Sequence, residues 1–202
     1  MKTLITVQHT QSEHHVNGMV GSWTDWHLTE LGRRQADGIG RKLAAELAGK
    51  DAALYASDLL RARQTAEIIG GHLGLAPALR PELRERNLGR ACGRSVQWLR
   101  EHIERPERTV DDRLFADGES RRDAWNRLKP FFESVLAAEH ETVLIVSHGD
   151  ILSVFYAMFL GLGVESLEHT VIHGRAGSVS EMSVGGDGKR FVRRLGDLSY
   201  LS

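Results

Sequence analysis

Short apolar runs alternate with longer stretches of helical periodicity along this chain. Thr3–Val7 reads as a short buried strand that ends at Gln8-His9-Thr10. Thr29 stands as a helix N-cap, followed by Leu31, Ile39, Leu43 and Leu47 at multiples of four, an apolar stripe on one helix. Ala52–Ala56 is a second short strand. Ser57 is placed to cap the next helix, in which Leu59, Ala62, Ala66, Ile69 and Leu73 keep helical spacing and Gly70, Gly71 and Gly74 punctuate the end. Another helix is expected from about Glu119 to Ala138. Thr142–Val146 is continuous, β-rich and apolar, as expected of a central strand buried on both faces. It runs through Ser147-His148-Gly149-Asp150 into a helix carrying Ile151, Leu152, Phe155 and Phe159. Val179–Val184 and Arg190–Leu195 flank Gly185-Gly186-Asp187-Gly188, a hairpin signal. This alternation of strands and helices predicts an α/β three-layer sandwich.

Composition narrows the classes. The 202 residues are 41% hydrophobic and 26% charged, enough for one domain over 1–202 to bury its own core without disulfides or metals. Between Arg100 and Asp123 more than half the residues are charged, which marks a solvated helix-and-loop excursion or a mobile lid. A formal net charge of −1 argues against nucleic acid or an anionic membrane as the main partner. The lone Cys92 cannot form an internal disulfide. The opening apolar run is too short for a signal-peptide core, and no stretch approaches the roughly 20 apolar residues of a membrane span. A cytoplasmic protein is the expectation.

Two histidines lie where α/β folds place chemistry, beyond the carboxyl ends of strands: His9 after the first, His148 after the strand Thr142–Val146. His148-Gly149 also opens a helix, so backbone N–H groups there can meet an anion. With ten histidines in the chain, position alone is weak evidence. The words around them add weight: Ser57-Asp58-Leu59-Leu60-Arg61-Ala62-Arg63-Gln64-Thr65-Ala66, Leu28-Thr29-Glu30-Leu31-Gly32 with Gln35-Ala36, Leu83-Arg84-Glu85 before Gly89 and Gly93, Gly118-Glu119-Ser120 with Arg127, and Ser147-His148-Gly149. In order and spacing these resemble the histidine phosphatase superfamily over nearly the whole chain.

The resemblance implies a phosphoglycerate mutase-like fold with a mostly parallel central sheet, and a phosphohydrolase acting on a small-molecule phosphate ester. It implies His9 as nucleophile, since a neutral imidazole offers a free lone pair near neutral pH and a phosphohistidine divides one hard step into two. Arg61 would clamp phosphate oxygens with its planar fork, and His148 would stabilise the transferring phosphoryl group. Glu85 would protonate the leaving oxygen and then activate water, a role that usually needs a raised pKa. Gln8, Ser12, His15, Arg61 and Gly149 are the expected phosphate-binding positions. No metal or other cofactor is implied, because cationic side chains carry the charge stabilisation.

The first motif departs from the family's Arg-His-Gly-x-Thr: here it is Gln8-His9-Thr10-Gln11-Ser12. Gln8 removes a cation expected on phosphate, and Thr10 replaces a glycine that lets the backbone come close. Either neighbours compensate, with His14, His15, Arg86 and Arg90 available and Gln8 still a donor, or the pocket has drifted to binding without turnover. Cys92 stands near a position where the family often has an acid and reads as a small apolar filler. Trp23 and Trp26 line the substrate mouth or cover the core. The alternatives to a phosphatase are mutase-type phosphoryl transfer and a non-catalytic phosphate-ligand binder. A metal-dependent hydrolase is disfavoured because His14-His15 is an adjacent pair, unlike i, i+4 ligands on one helix face. Oligomeric state stays open, a homodimer through a hairpin edge at Val179–Val184 being one arrangement.

Overall fold

The computed structural model describes residues 1–201. In chain order its main elements are β1 (Lys2–Gln8), α1 (His14–Asn17), α2 (Glu30–Glu46), β2 (Ala52–Ala56), α3 (Leu60–Leu73), β3 (Ala78–Leu79), α4 (Val96–His102), α5 (Arg121–Ala137), β4 (Thr142–Ser147), α6 (Gly149–Phe159), β5 (Val179–Val184) and β6 (Arg190–Asp197). One sheet has the order β3-β2-β4-β1-β5-β6. β3, β2, β4 and β1 run parallel, while β5 and β6 continue antiparallel.

Alternation along the central strands builds two cores. On β1 and β4, Leu4, Val143 and Ile145 face a cluster with Leu128, Phe131 and Val135 of α5 and Phe155 and Phe159 of α6. Ile5, Val7, Leu144 and Val146 face the other way, onto Ile39 and Leu43 of α2 and Ala62, Ala66 and Ile69 of α3. The sheet is thus covered on both sides, and each fully buried large side chain contributes about 1.5–3 kcal/mol.

Several expectations change in detail. Thr29 caps α2, its side chain accepting from Gly32 N–H. Leu31 is 42% exposed, outside the buried stripe of Ala36, Ile39 and Leu43. A spacing of four drifts about 40° per step from the 3.6-residue helix, so Leu31 and Leu43 cannot share one narrow face. Ser57 does not cap α3. The N-cap is Leu59, without a side-chain bond, and the left-handed Gly74 (φ 68°) closes the helix. β5 lies between β1 and β6, so the free hairpin edge is β6 rather than Val179–Val184. No helix among the described residues is long and apolar enough to cross a membrane.

Candidate active site

Register decides where the two histidines meet. β1 and β4 pair in parallel with Gln8 opposite Ser147, so His9 and His148 emerge side by side at one sheet edge. His9 N–H donates to Ser147 O at 2.9 Å, and the imidazoles lie edge to face with centroids 5.1 Å apart. β2 ends at the same level, where Ser57 N–H donates to Val146 O. Its hydroxyl reaches His148 Nε2 at 2.9 Å and accepts from Leu59 N–H.

The tautomer of His9 follows from its partners. Nδ1 lies 2.9 Å from Thr10 O, an atom that only accepts, so Nδ1 carries the proton. Nε2 is then bare, and Arg61 Nε–H donates to it at 3.2 Å. His9 is 3% exposed and Arg61 1%. Burial, then the Arg61 charge, holds the His9 imidazole well below its ordinary pKa. The same two causes, in that order, lower His148, whose buried Nδ1 has no hydrogen-bond partner among the described residues. Arg61 is itself lowered to about 10 by burial and stays cationic. Its Nη groups donate to Thr24 O (2.8 Å) and Ser22 O (2.9 Å), fixing the fork and the loop beside it.

Glu85 closes the opposite side of the cleft. Its Oε1 accepts from Arg86 N–H at 2.9 Å and its Oε2 from Asp150 N–H at 3.4 Å. Burial, reinforced by the Asp150 charge, raises its carboxyl to about 7. Arg127 sets the segment: it forks onto Glu119 and donates to the carbonyls of Glu82, Arg84 and Glu85. Ser147 Oγ donates to Leu83 O from below.

His14 and His15 complete the near wall. Ring nitrogens of His9, His14 and His15 lie within 4.8 Å of one another, a convergence invisible in the adjacent pair because the single turn α1 folds both back toward His9. Ser12 N–H donates to His15 Nδ1 at 3.1 Å, so a neutral His15 carries its proton on Nε2. Burial lowers both imidazoles, His14 to about 3. The fixed charge of Arg61 adds to this, so the imidazoles stay neutral and His15 meets an anion as a neutral N–H donor.

Among the expected phosphate positions, Gln8, His15, Arg61 and Gly149 line one cleft of about 430 Å³ together with His9 and Glu85. Ser12 does not line it. It is fully buried, its Oγ 2.8 Å from His14 Nδ1, and it orients both histidines. Gln8 lies between Gly149 and Gly174, its buried Oε1 without a hydrogen-bond partner among the described residues. Thr10 needs no glycine: its φ is not positive, and its side chain packs on Thr65. The expected compensating cations are committed elsewhere, Arg86 to Glu107 and Asp150, and Arg90 to Glu104 and Asp117. Cys92 is no apolar filler, since its Sγ contacts Ser22 Oγ and Asn87 Oδ1. The tryptophans do not line the cleft. Trp23 donates to Glu85 O beneath Arg84 and Arg127, and Trp26 donates to Val20 O.

Residues 4–196 match the family described as the histidine phosphatase superfamily (branch 1). The chain belongs to the histidine phosphatase superfamily. It is 29% identical over 205 residues to a putative phosphoserine phosphatase 2 of Hydrogenobacter thermophilus, covering 95% of this chain and 94% of that one. It is 31% identical over 176 residues to a 2,3-bisphosphoglycerate-dependent phosphoglycerate mutase of Bartonella henselae, with 82% and 85% covered. Among solved structures, Bacillus stearothermophilus YhfR superposes with a TM-score of 0.83 at 29% identity over 100% of both chains. A mycobacterial glucosyl-3-phosphoglycerate phosphatase has the same fold, with a TM-score of 0.82 at 23% identity, covering 96% of this chain and 98% of that one. Like its phosphatase and mutase relatives, this superfamily member is an enzyme of that class.

Proposed function

We propose that the protein is a metal-independent phosphomonoester phosphatase that works through a phosphohistidine on His9. The observation that carries this is the fixed tautomer of His9: Nδ1–H bound to Thr10 O leaves Nε2 unprotonated in a residue that lines the cleft, its lone pair held by Arg61 Nε–H until the phosphoryl group engages that guanidinium. That lone pair attacks phosphorus while the bond to the ester oxygen breaks, and protonated Glu85 delivers its proton to the leaving oxygen. The Glu85 carboxylate then takes a proton from water, the water oxygen bonds to phosphorus, and the P–N bond breaks. Inorganic phosphate leaves, with His9 neutral and Glu85 protonated again. Arg61 and the Nε2–H of His15 bind the phosphoryl oxygens, with Gln8 and the Gly149 N–H beside them, and His148, fully buried and outside the cleft lining, stabilises the group on His9 with its ring centroid 5.1 Å from that of His9. Hydrolysis of an aryl phosphate in chelator, with a trapped phosphoenzyme that is stable to base and labile to acid, tests the proposal. No turnover of any ester in a broad panel would overturn it in favour of a ligand binder.

A carboxyl titrating at about 7 gives the pH profile a sign. Glu85 must start protonated, so kcat/KM is expected to fall as pH rises through about 7, while the depressed His9 imidazole stays neutral well into the acid range. Glu85→Gln should remove that alkaline limb. It should also lower kcat/KM for alkyl esters by about 10²–10⁴-fold, and for nitrophenyl phosphate, whose leaving group needs little protonation, by much less. A retained limb would move the proton donor to another group.

Gln8→Arg is expected to raise kcat/KM by at least about tenfold, part of the scale of one lost transition-state donor. An unchanged rate would mean that Arg61 and His15 already saturate the phosphoryl oxygens.

A further inference from the structure

One wall of the cleft is apolar and stiff. Met19, Val20, Leu88, Val96 and Leu99 supply the apolar part of its lining. Two paired backbone segments carry all of these but Leu88: Met19 bridges Ser95, and Val20 N–H donates to Arg94 O and Val96 N–H to Gly18 O, both bonds 2.8 Å long. Ser95 caps α4 by accepting from Trp98 N–H, which sets Val96 and Leu99 on the first turns of that helix. The donations from Thr24 Oγ1 and Trp26 Nε1 to Val20 O brace the segment from behind.

The cleft is also short of free cations. The arginines that line it are Arg61, which holds the phosphate end, and Arg86. Arg86 is 6% exposed, ion-paired with Glu107 on Nη1 and with Asp150 at 3.4 Å on Nε. His14 and His15 are held neutral, and Asp150 adds a carboxylate to a lining that also holds the exposed His173. Among the described residues that line the cleft, a carboxylate on the leaving group would meet two acids, Glu85 and Asp150, and no arginine or lysine beyond Arg61 and the ion-paired Arg86. An aryl or branched alkyl group would be desolvated against the apolar wall, at about 25 cal/mol per Å² buried.

We infer that the enzyme's substrates are phosphate monoesters of uncharged apolar or aromatic alcohols, and that Val96 and Leu99 set this specificity. The inference rests on the phosphatase activity proposed above. It separates the chain from esters such as phosphoglycerate and phosphoserine, whose alcohols carry a carboxylate.

The test compares 1-naphthyl phosphate, O-phosphoserine and 3-phosphoglycerate as substrates, and measures equilibrium binding of the non-hydrolysable 1-naphthylmethyl phosphonate. Wild type is expected to favour the naphthyl ester in kcat/KM by at least about tenfold. Leu99→Ala should raise KM for it by about tenfold while kcat stays within about twofold, the pattern of lost uniform binding. Leu99→Arg should shift the preference toward 3-phosphoglycerate. Equal or better turnover of the carboxylated esters, or a KM indifferent to Leu99→Ala, would overturn the inference and leave the phosphatase standing. Phosphonate binding that weakens in Leu99→Ala without turnover of any ester would keep the apolar-ligand wall and overturn the catalytic proposal. Absence of both turnover and phosphonate binding would overturn both.

Discussion

His9→Ala is expected to lower turnover of any phosphate ester by about 10⁴-fold or more, the scale seen when a covalent nucleophile is removed and the surrounding charge stabilisers remain. At 1.36 kcal/mol per decade this is a loss of about 5 kcal/mol of transition-state stabilisation. Two neighbouring imidazoles are poorly placed to take over. His148 Nε2 is engaged with Ser57, and the neutral His15 presents a proton rather than a lone pair. The variant also strips Arg61 Nε–H of its acceptor in a buried place. Circular dichroism and a melting curve must therefore accompany the assay. Phosphate affinity provides the second control, since Arg61, His15 and the Gly149 N–H persist. A folded, phosphate-binding His9→Ala protein without turnover supports the covalent route. One that keeps a few per cent of the activity would exclude His9 as the nucleophile, whatever else the cleft does.

The layers and the two histidines were legible in the chain because strong local patterns carried them. Continuous apolar runs gave β1, β2 and β4 nearly to the residue, and β4 is buried along its whole length. Less legible was what each polar residue does once the chain closes. Ser57 has the right identity and place for an N-cap, yet its hydroxyl turns to His148, a residue 91 positions away. Arg127 reads as one more helix arginine, and only the tertiary fold shows it gathering the carbonyls that hold Glu85. Ser22 is a non-glycine residue at φ 35°, a conformation costing on the order of 1–3 kcal/mol. Its carbonyl on Arg61 and its hydroxyl between Arg86 O and Leu88 N hold it there. No periodicity announces such a contact. The three-histidine wall is legible only in part, through His9 and His15, for a related reason. Ligand-spacing rules assume a continuous helix, and α1 is one turn folded back by Ser12.

The family's Leu-Thr-Glu-Leu-Gly word has a physical basis that Gly32→Ala should expose. A Cβ on Gly32 would sit 1.9 Å from Gln11 O and 2.9 Å from Gln11 C. Gln11 is backbone two residues beyond the proposed nucleophile, not a side chain that can swing away. The same peptide is tied to α2 three times over: Gln11 O accepts from Thr29 N–H, the Thr29 hydroxyl donates to Gln11 Oε1, and Gln11 N–H donates to Gln35 Oε1. Thr29, Gly32 and Gln35 together therefore seat the His9 loop on the first turns of α2. Alanine must push the loop and the helix apart, breaking those bonds or straining the backbone. Overpacking in a well-filled place costs about 1–3 kcal/mol and occasionally more, and the backbone contact puts this site at the upper end. For a chain of this size that is a fall in melting temperature of about 6–12 °C. Displacing the nucleophile by even about 1 Å should also lower kcat/KM by about 10²-fold. Gly71→Ala is the matched control: Gly71 is helical in α3, and a Cβ there meets nothing within 4 Å. It should stabilise by about 0.4–1 kcal/mol through the unfolded chain's lost freedom, with activity intact. If Gly32→Ala melts with the Gly71→Ala protein and keeps its activity, the packing of α2 on the Gln11 peptide is not what holds His9 in place.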